Sequence, residues 1–152
     1  MGLRRKAREH ALQLLFQQDS NQEKIFFDGS AALHLPADKP VEDFVDRLVQ
    51  GVTRNLSEID SLIRKHAEHW SLERMALVDR NVLRIAVFEF LYIDDIPAKV
   101  TLNEAIEVAK RYGDESSSSF INGILDRILG EEEKLLAKKT EVQKSLNANQ
   151  GA

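Results

Sequence analysis

The sequence predicts an all-α protein of about seven helices in two small bundles. Three observations carry that expectation. Residues 78–93 read VDRNVLRIAVFEFLYI, with no Gly or Pro inside and only Arg84 and Glu89 charged between Val82 and Ile93. Their apolar side chains fall on nearly every side of a helical wheel, which marks a helix buried on most sides. Elsewhere apolar residues recur three and four apart, with no alternating pattern and no internal repeat. Finally, 3 Pro and 7 Gly in 152 residues leave room for long helices, and 43% hydrophobic residues suffice for a core.

A membrane span is excluded as the reading of residues 78–93, because a span needs about 20 mostly apolar residues. Asp79, Arg80, Arg84, Glu89, Asp94 and Asp95 recur too often. One domain is expected over residues 1–140, with subdomains over about 1–68 and 69–140 and a seam near Ala67–Ser71. Residues 141–152 are expected to form a disordered tail, since Ser145–Ala152 has no apolar period.

In chain order, the first helix is expected over Leu3–Gln18. Ala7, Ala11, Leu14 and Leu15 form its apolar face, and Leu12 and Phe16 widen it. Arg4, Arg5, Lys6 and Arg8 crowd its first turns, ahead of any acid. The helix dipole favours acids there, so helix stability does not explain the cluster. It reads either as a phosphate-binding patch or as a solvated helix start. Asp19–Pro40 is irregular: Asp28-Gly29-Ser30 signals a turn, Pro36 and Pro40 bracket a loop, and Ile25, Phe26 and Phe27 would anchor it. Pro40 suits a first helical turn. Val41, Phe44, Val45, Leu48, Val49 and Val52 then repeat at helical spacing to about Asn55.

Ser57 is expected to cap the next helix, whose face is Ile59, Leu62, Ile63 and Ala67. His66 and His69 lack the further ligands a metal needs. Trp70 is expected to be a packing anchor between the bundles rather than a platform for bases. Ser71 would cap the short stretch leading into the central helix, which ends at Asp94-Asp95 before Pro97. Thr101-Leu102-Asn103-Glu104 has the capping-box pattern. Gly113 is placed to close that helix in a left-handed conformation. A serine of Ser116–Ser119 would cap the next helix, in which Phe120, Ile121, Ile124, Leu125, Ile128 and Leu129 repeat. That period overrides the hairpin signal of Asn122-Gly123. A glycine inside a helix costs about 1 kcal/mol relative to Ala, and close approach of a neighbouring helix would account for Gly123. Glu131–Glu133 begins a charged terminal helix or tail.

The 21 basic and 25 acidic residues give a net charge of -4, which argues against a general nucleic-acid binder and leaves only a local patch. The chain has no Cys, hence no disulfide, thiolate metal site or Cys nucleophile. The basic start lacks an apolar signal region, so a cytoplasmic location is expected. His10, His34, His66 and His69 are scattered. Arg84 and Glu89 read as buried charges satisfied by other helices rather than as a catalytic pair. No enzyme chemistry, metal or cofactor is expected.

Several stretches together resemble the NusB family of bacterial transcription antitermination factors. They are Arg4-Arg5-Lys6-Ala7-Arg8-Glu9 with Ala11-Leu12-Gln13, and Asp79-Arg80-Asn81-Val82-Leu83-Arg84-Ile85-Ala86. Ile96-Pro97 with Val100, Asn103-Glu104-Ala105 with Glu107-Val108-Ala109-Lys110, and Phe120-Ile121-Asn122-Gly123-Ile124-Leu125-Asp126 follow in the same order.

The resemblance implies two perpendicular three-helix subdomains and binding of boxA-type single-stranded RNA. It also implies a partner, the ribosomal protein NusE, and loading of an antitermination complex onto RNA polymerase during ribosomal RNA synthesis. Carried over by position, the arginine-rich first helix falls on Arg4, Arg5, Lys6 and Arg8. Lys6 stands where Arg is frequent, and lysine cannot form the planar bidentate fork. Phe16 replaces a frequent Tyr. Phe120 matches an aromatic near the RNA and partner surface, with core packing as its other reading. Asp79 matches an acidic position at the partner and RNA edge, and Ser116 a partner position that is often Asp. A small basic patch attracts phosphates in a salt-sensitive way, and a partner raises affinity through effective concentration. Two other readings stand beside this one. One is a non-catalytic relative of the helical N-terminal domain of ribosomal RNA cytosine methyltransferases. The other is a dimerisation module that forms a homodimer.

Overall fold

Helix α4, Leu77–Tyr92, is the axis of the molecule, with every residue from Asn81 to Phe90 buried. The computed structural model describes residues 2–20 and 38–132. Around α4 stand α1 (Gly2–Ser20), α2 (Lys39–Arg54), α3 (Leu56–His66), α5 (Ala98–Tyr112) and α6 (Ser117–Glu131). A 3-10 turn at Leu72–Arg74 joins α3 to α4. All five other helices pack against α4, and the described residues include no strand.

This explains the all-round apolarity of residues 82–93: each side of α4 faces a different neighbour. One continuous core joins Leu12, Leu48, Ile59, Leu83, Phe90, Val108 and Ile121, with contributions from all six helices. Full burial of side chains such as Leu83 and Phe90 contributes about 1.5–3 kcal/mol each. No described helix is long and apolar enough to cross a membrane.

Several local expectations differ from the structure. Helix α5 begins at Ala98, with Pro97 as its N-cap, before the expected capping box. The Pro97 carbonyl accepts from the amides of Val100 and Thr101 at 3.0 and 3.2 Å. Thr101 and Glu104 therefore lie inside the helix, where tertiary partners claim both side chains. Helix α3 starts at Leu56 rather than after Ser57. Asn55 closes α2, its side-chain amide and backbone N–H both donating to the Gly51 carbonyl at 2.8 and 3.1 Å. Ser71 does precede the 3-10 turn but makes no side-chain cap bond.

Gly113 has φ -93° and ψ -169°, an extended rather than left-handed conformation. Glycine is needed there for space, because a Cβ would lie 2.4 Å from Ser117 Oγ. The Asp114 carboxylate, not a serine, organises the start of α6. It accepts from the Ser116 amide and hydroxyl, both at 2.8 Å, and from the Ser117 hydroxyl at 3.3 Å. Gly123 is helical as expected, but no atom lies within 4 Å of where its Cβ would be. The close helix approach falls at Gly51 instead, where a Cβ would meet the Phe88 ring at 2.2 Å. The expected anchor at Ile25–Phe27 and the tail lie outside the described residues, as does His34.

Candidate nucleic-acid interface

The first turns of α1 carry no acid, and their four cations fall into different environments. Arg4 is exposed, 3.5 Å from Asp95, with its guanidinium 5.2 Å from the Phe44 ring centre. Lys6 is exposed and makes no ion pair with any described residue. Arg5 is gripped by Glu104, with Nε donating to Oε1 at 3.0 Å and Nη2 to Oε2 at 2.6 Å. The hydrogen bond from Arg5 holds the Glu104 carboxyl below the usual carboxylate range, against the opposing effect of burial.

Arg8 faces inward and is only 4% exposed. Its Nε and Nη2 donate to Glu89 at 2.7 and 2.8 Å, and Nη1 lies 3.5 Å from Glu104. Glu89, 1% exposed, also accepts from the Thr101 hydroxyl at 2.8 Å. The basic cluster is thus a surface group of Arg4, Arg5 and Lys6 over one core cation. The helix dipole acts on the whole helix start alike and does not distinguish them.

At the other end of α1, Asp19 accepts from Arg80 at 2.6 and 2.7 Å, from Asn81 at 2.9 Å and from Arg84 at 2.9 Å. Arg84 makes a second, bidentate bond to Asp60 at 2.8 and 3.0 Å. Burial raises the Asp19 carboxyl, but the hydrogen bonds and charges of these partners outweigh it and leave it lowered. Arg84 and Glu89 are therefore buried charges satisfied from other helices, as their apolar surroundings required.

The remaining candidate residues gather where α4 begins. Asp79 is buried, and its Oδ1 has no hydrogen-bond partner. Desolvation pushes this carboxyl up, partly offset by a hydrogen bond it accepts from the Ser117 hydroxyl. Ser116 is exposed and held by Asp114. Phe120 is half-buried against the core and meets Trp70 edge-on, with ring centres 5.9 Å apart and planes at 80°. It therefore joins its two readings, with one side in the core and the other toward the surface. Trp70 packs edge-on against Phe120 of α6 yet is 55% exposed, so it makes a surface contact rather than an enclosed one. Phe16 is buried and presents no ring to solvent.

Glu104 and Asp19 are the contributors that sequence reasoning missed. Glu104 had a local explanation as a capping residue, and Asp19 looked like the start of a loop. The one available signal was that Arg84 and Glu89 required buried partners.

Such a fold, with a cationic helix start and an aromatic edge, defines a helical binding protein. Residues 5–130 match the NusB family. The chain belongs to that family. It is 46% identical over 147 residues to the transcription antitermination protein NusB of Desulfatibacillum aliphaticivorans, covering 91% of this chain and 100% of that protein. The Chloroherpeton thalassium protein of the same name is 45% identical over 130 residues, 84% of this chain and 62% of that longer relative. Among solved structures, T. maritima NusB is 45% identical with a TM-score of 0.73, covering 85% of this chain and 92% of that one. A chain from the crystal structure of antitermination factors NusB and NusE in complex with dsRNA is 28% identical. It has a TM-score of 0.73 and covers 87% of this chain and 99% of that one.

Proposed function

We propose that this chain is an RNA-binding transcription antitermination factor. It engages boxA-type RNA jointly with the ribosomal protein NusE and supports ribosomal RNA transcription by RNA polymerase in the cytoplasm. The observation that carries this reading is the likeness, across 87% of this chain, to a relative solved with NusE and RNA. The surface chemistry is consistent with it. Arg4, Arg5 and Lys6 offer phosphate contacts, with Lys6 as a point charge and Arg5 as a fork. Arg8 serves as internal support. Phe120 and its neighbour Trp70 offer aromatic surface for bases or partner, beside Ser116. Asp79 acts from inside, shaping the Ser117 turn rather than touching RNA. The function is binding, with no reaction and no cofactor assigned.

The cations of α1 are largely balanced by Asp95, Glu104 and Glu89, so attraction for RNA by this chain alone is modest. A second RNA surface on NusE would raise it. Fluorescence anisotropy of labelled boxA strand, scrambled strand and duplex, each with and without NusE, tests the reading. Weak binding alone and selective, much tighter boxA binding with NusE is the expected result. Equal affinity for boxA and scrambled RNA in the presence of NusE would overturn it.

A further inference from the structure

Glu104 occupies only one edge of Arg5. Its two oxygens take Nε and one hydrogen of Nη2, a side-on grip. The end of the fork, Nη1 with the outer hydrogen of Nη2, has no hydrogen-bond partner among the described residues, although Glu107 and Glu9 act on the guanidinium by charge, and it belongs to a side chain 33% exposed. Glu104 lies beneath it at 11%. Below Glu104 the chain of contacts continues to Arg8, Glu89 and Thr101. Arg5 is therefore the surface end of a charge ladder rooted in α4 and α5.

We infer that Glu104 is a positioning residue, which holds the Arg5 fork so that its outer edge takes one RNA phosphate in a bidentate contact. The inference rests on the RNA-binding reading above. Arginine can do this because its planar fork offers two edges at once, one to a carboxylate and one to a phosphate. A free surface arginine must be ordered when RNA arrives, whereas Arg5 is already ordered. The arrangement also has an electrostatic consequence. Arg5 and Arg8 are balanced by Glu104 and Glu89, so this pair of pairs adds direction rather than long-range attraction. Arg4 and Lys6 are left to supply the attraction. If Glu104 instead competed with phosphate for the same edge, its removal would strengthen binding. The open outer edge argues against that.

The test is titration of boxA RNA in the presence of NusE, at several salt concentrations, with thermal melts of every variant. Glu104→Ala is expected to weaken binding about tenfold, the loss of one charge-assisted contact, without flattening the salt dependence. Glu104→Gln keeps one acceptor for Arg5 and should fall between Glu104→Ala and the parent. Arg5→Lys should lose nearly as much as Arg5→Ala although the charge remains. The Arg5→Ala/Glu104→Ala pair should be no worse than Arg5→Ala alone. Parent-like or tighter binding by Glu104→Ala, with Arg5→Ala weakened, overturns the positioning role and leaves the RNA-binding reading standing. Parent-like binding by Arg5→Ala overturns the assignment of Arg5 to RNA itself. Should Glu104→Ala melt early, Arg5→Lys decides alone, and parent-like binding there sinks the inference.

Discussion

Arg8→Ala should damage the fold before it damages RNA recognition. Arg8 is 4% exposed, and its bidentate partner Glu89 is 1% exposed. Truncation removes two hydrogen bonds of 2.7 and 2.8 Å and leaves the Glu89 carboxylate buried without that cation. Removing one partner of a buried ion pair costs about 3–5 kcal/mol. Whole domains are stable by only about 5–15 kcal/mol, so about a fifth or more of the stability is at stake. At about 2–4 °C per kcal/mol for a domain of this size, the melting temperature should fall by about 6–20 °C. Urea unfolding followed by far-UV circular dichroism and by the fluorescence of Trp70 measures this. Glu89→Ala should cost a similar amount. The double replacement Arg8→Met/Glu89→Leu should cost far less than the sum, because an apolar pair removes both charges at once. A loss below about 1 kcal/mol for Arg8→Ala would refute the core assignment. So would a folded Arg8→Ala variant with parent stability and RNA affinity reduced as in Arg5→Ala.

Four other outcomes follow from the structure. Gly51→Ala should destabilise by about 1–3 kcal/mol, because its Cβ would enter the Phe88 ring. Gly123→Ala, with open space at the Cβ, should stabilise by up to about 1 kcal/mol in the same urea titration. Trp70 is the only tryptophan and packs edge-on against Phe120, so its emission should shift when RNA and NusE bind. An unchanged spectrum at saturation would remove Phe120 from the interface. Asp79→Asn should stabilise the protein near pH 7. The folded carboxyl is raised, so the native state holds its proton longer than the unfolded chain, and stability falls as pH rises from the ordinary carboxylate range through the folded value. The advantage of Asp79→Asn should therefore vanish in melts below that range, and an advantage independent of pH would contradict the assignment.

The fold was legible because its strongest signal was also its physical centre. Residues 82–93 are apolar on all sides because α4 has neighbours on all sides, and helical periodicity in the other segments named most of the remaining core. The helix ends were less legible. Thr101 and Glu104 satisfy the capping pattern perfectly well as sequence, yet Pro97 starts the helix earlier and frees both side chains for tertiary bonds. Gly113 failed for a related reason: its need is for space beside Ser117, not for a left-handed turn. At the candidate site, sequence located the basic helix but could not tell Arg8 from Arg5. They sit three positions apart on neighbouring parts of one helix surface. Which of them turns inward depends on where α4 and α5 place Glu89 and Glu104, and no local pattern contains that.

The two ion networks share a logic that bears on recognition. One ties the start of α1 to α4 and α5 through Arg8, Glu89, Glu104 and Arg5. The other ties the end of α1 to α4 and α3 through Asp19, Arg80, Arg84 and Asp60. Apolar contacts carry no direction of their own, and the small Ala7 and Ala11 of α1 offer little shape to set its register. Bidentate pairs at both ends do not, because each requires its own register. Buried ion pairs add little net stability over an apolar core. Their gain here is geometric: they fix α1, and with it the surface cations, relative to the helix that carries Asp79 and packs against α6 with Phe120. On the RNA-binding reading, a surface that meets one RNA path needs its cations held in a single register, and the charges inside the protein supply that register.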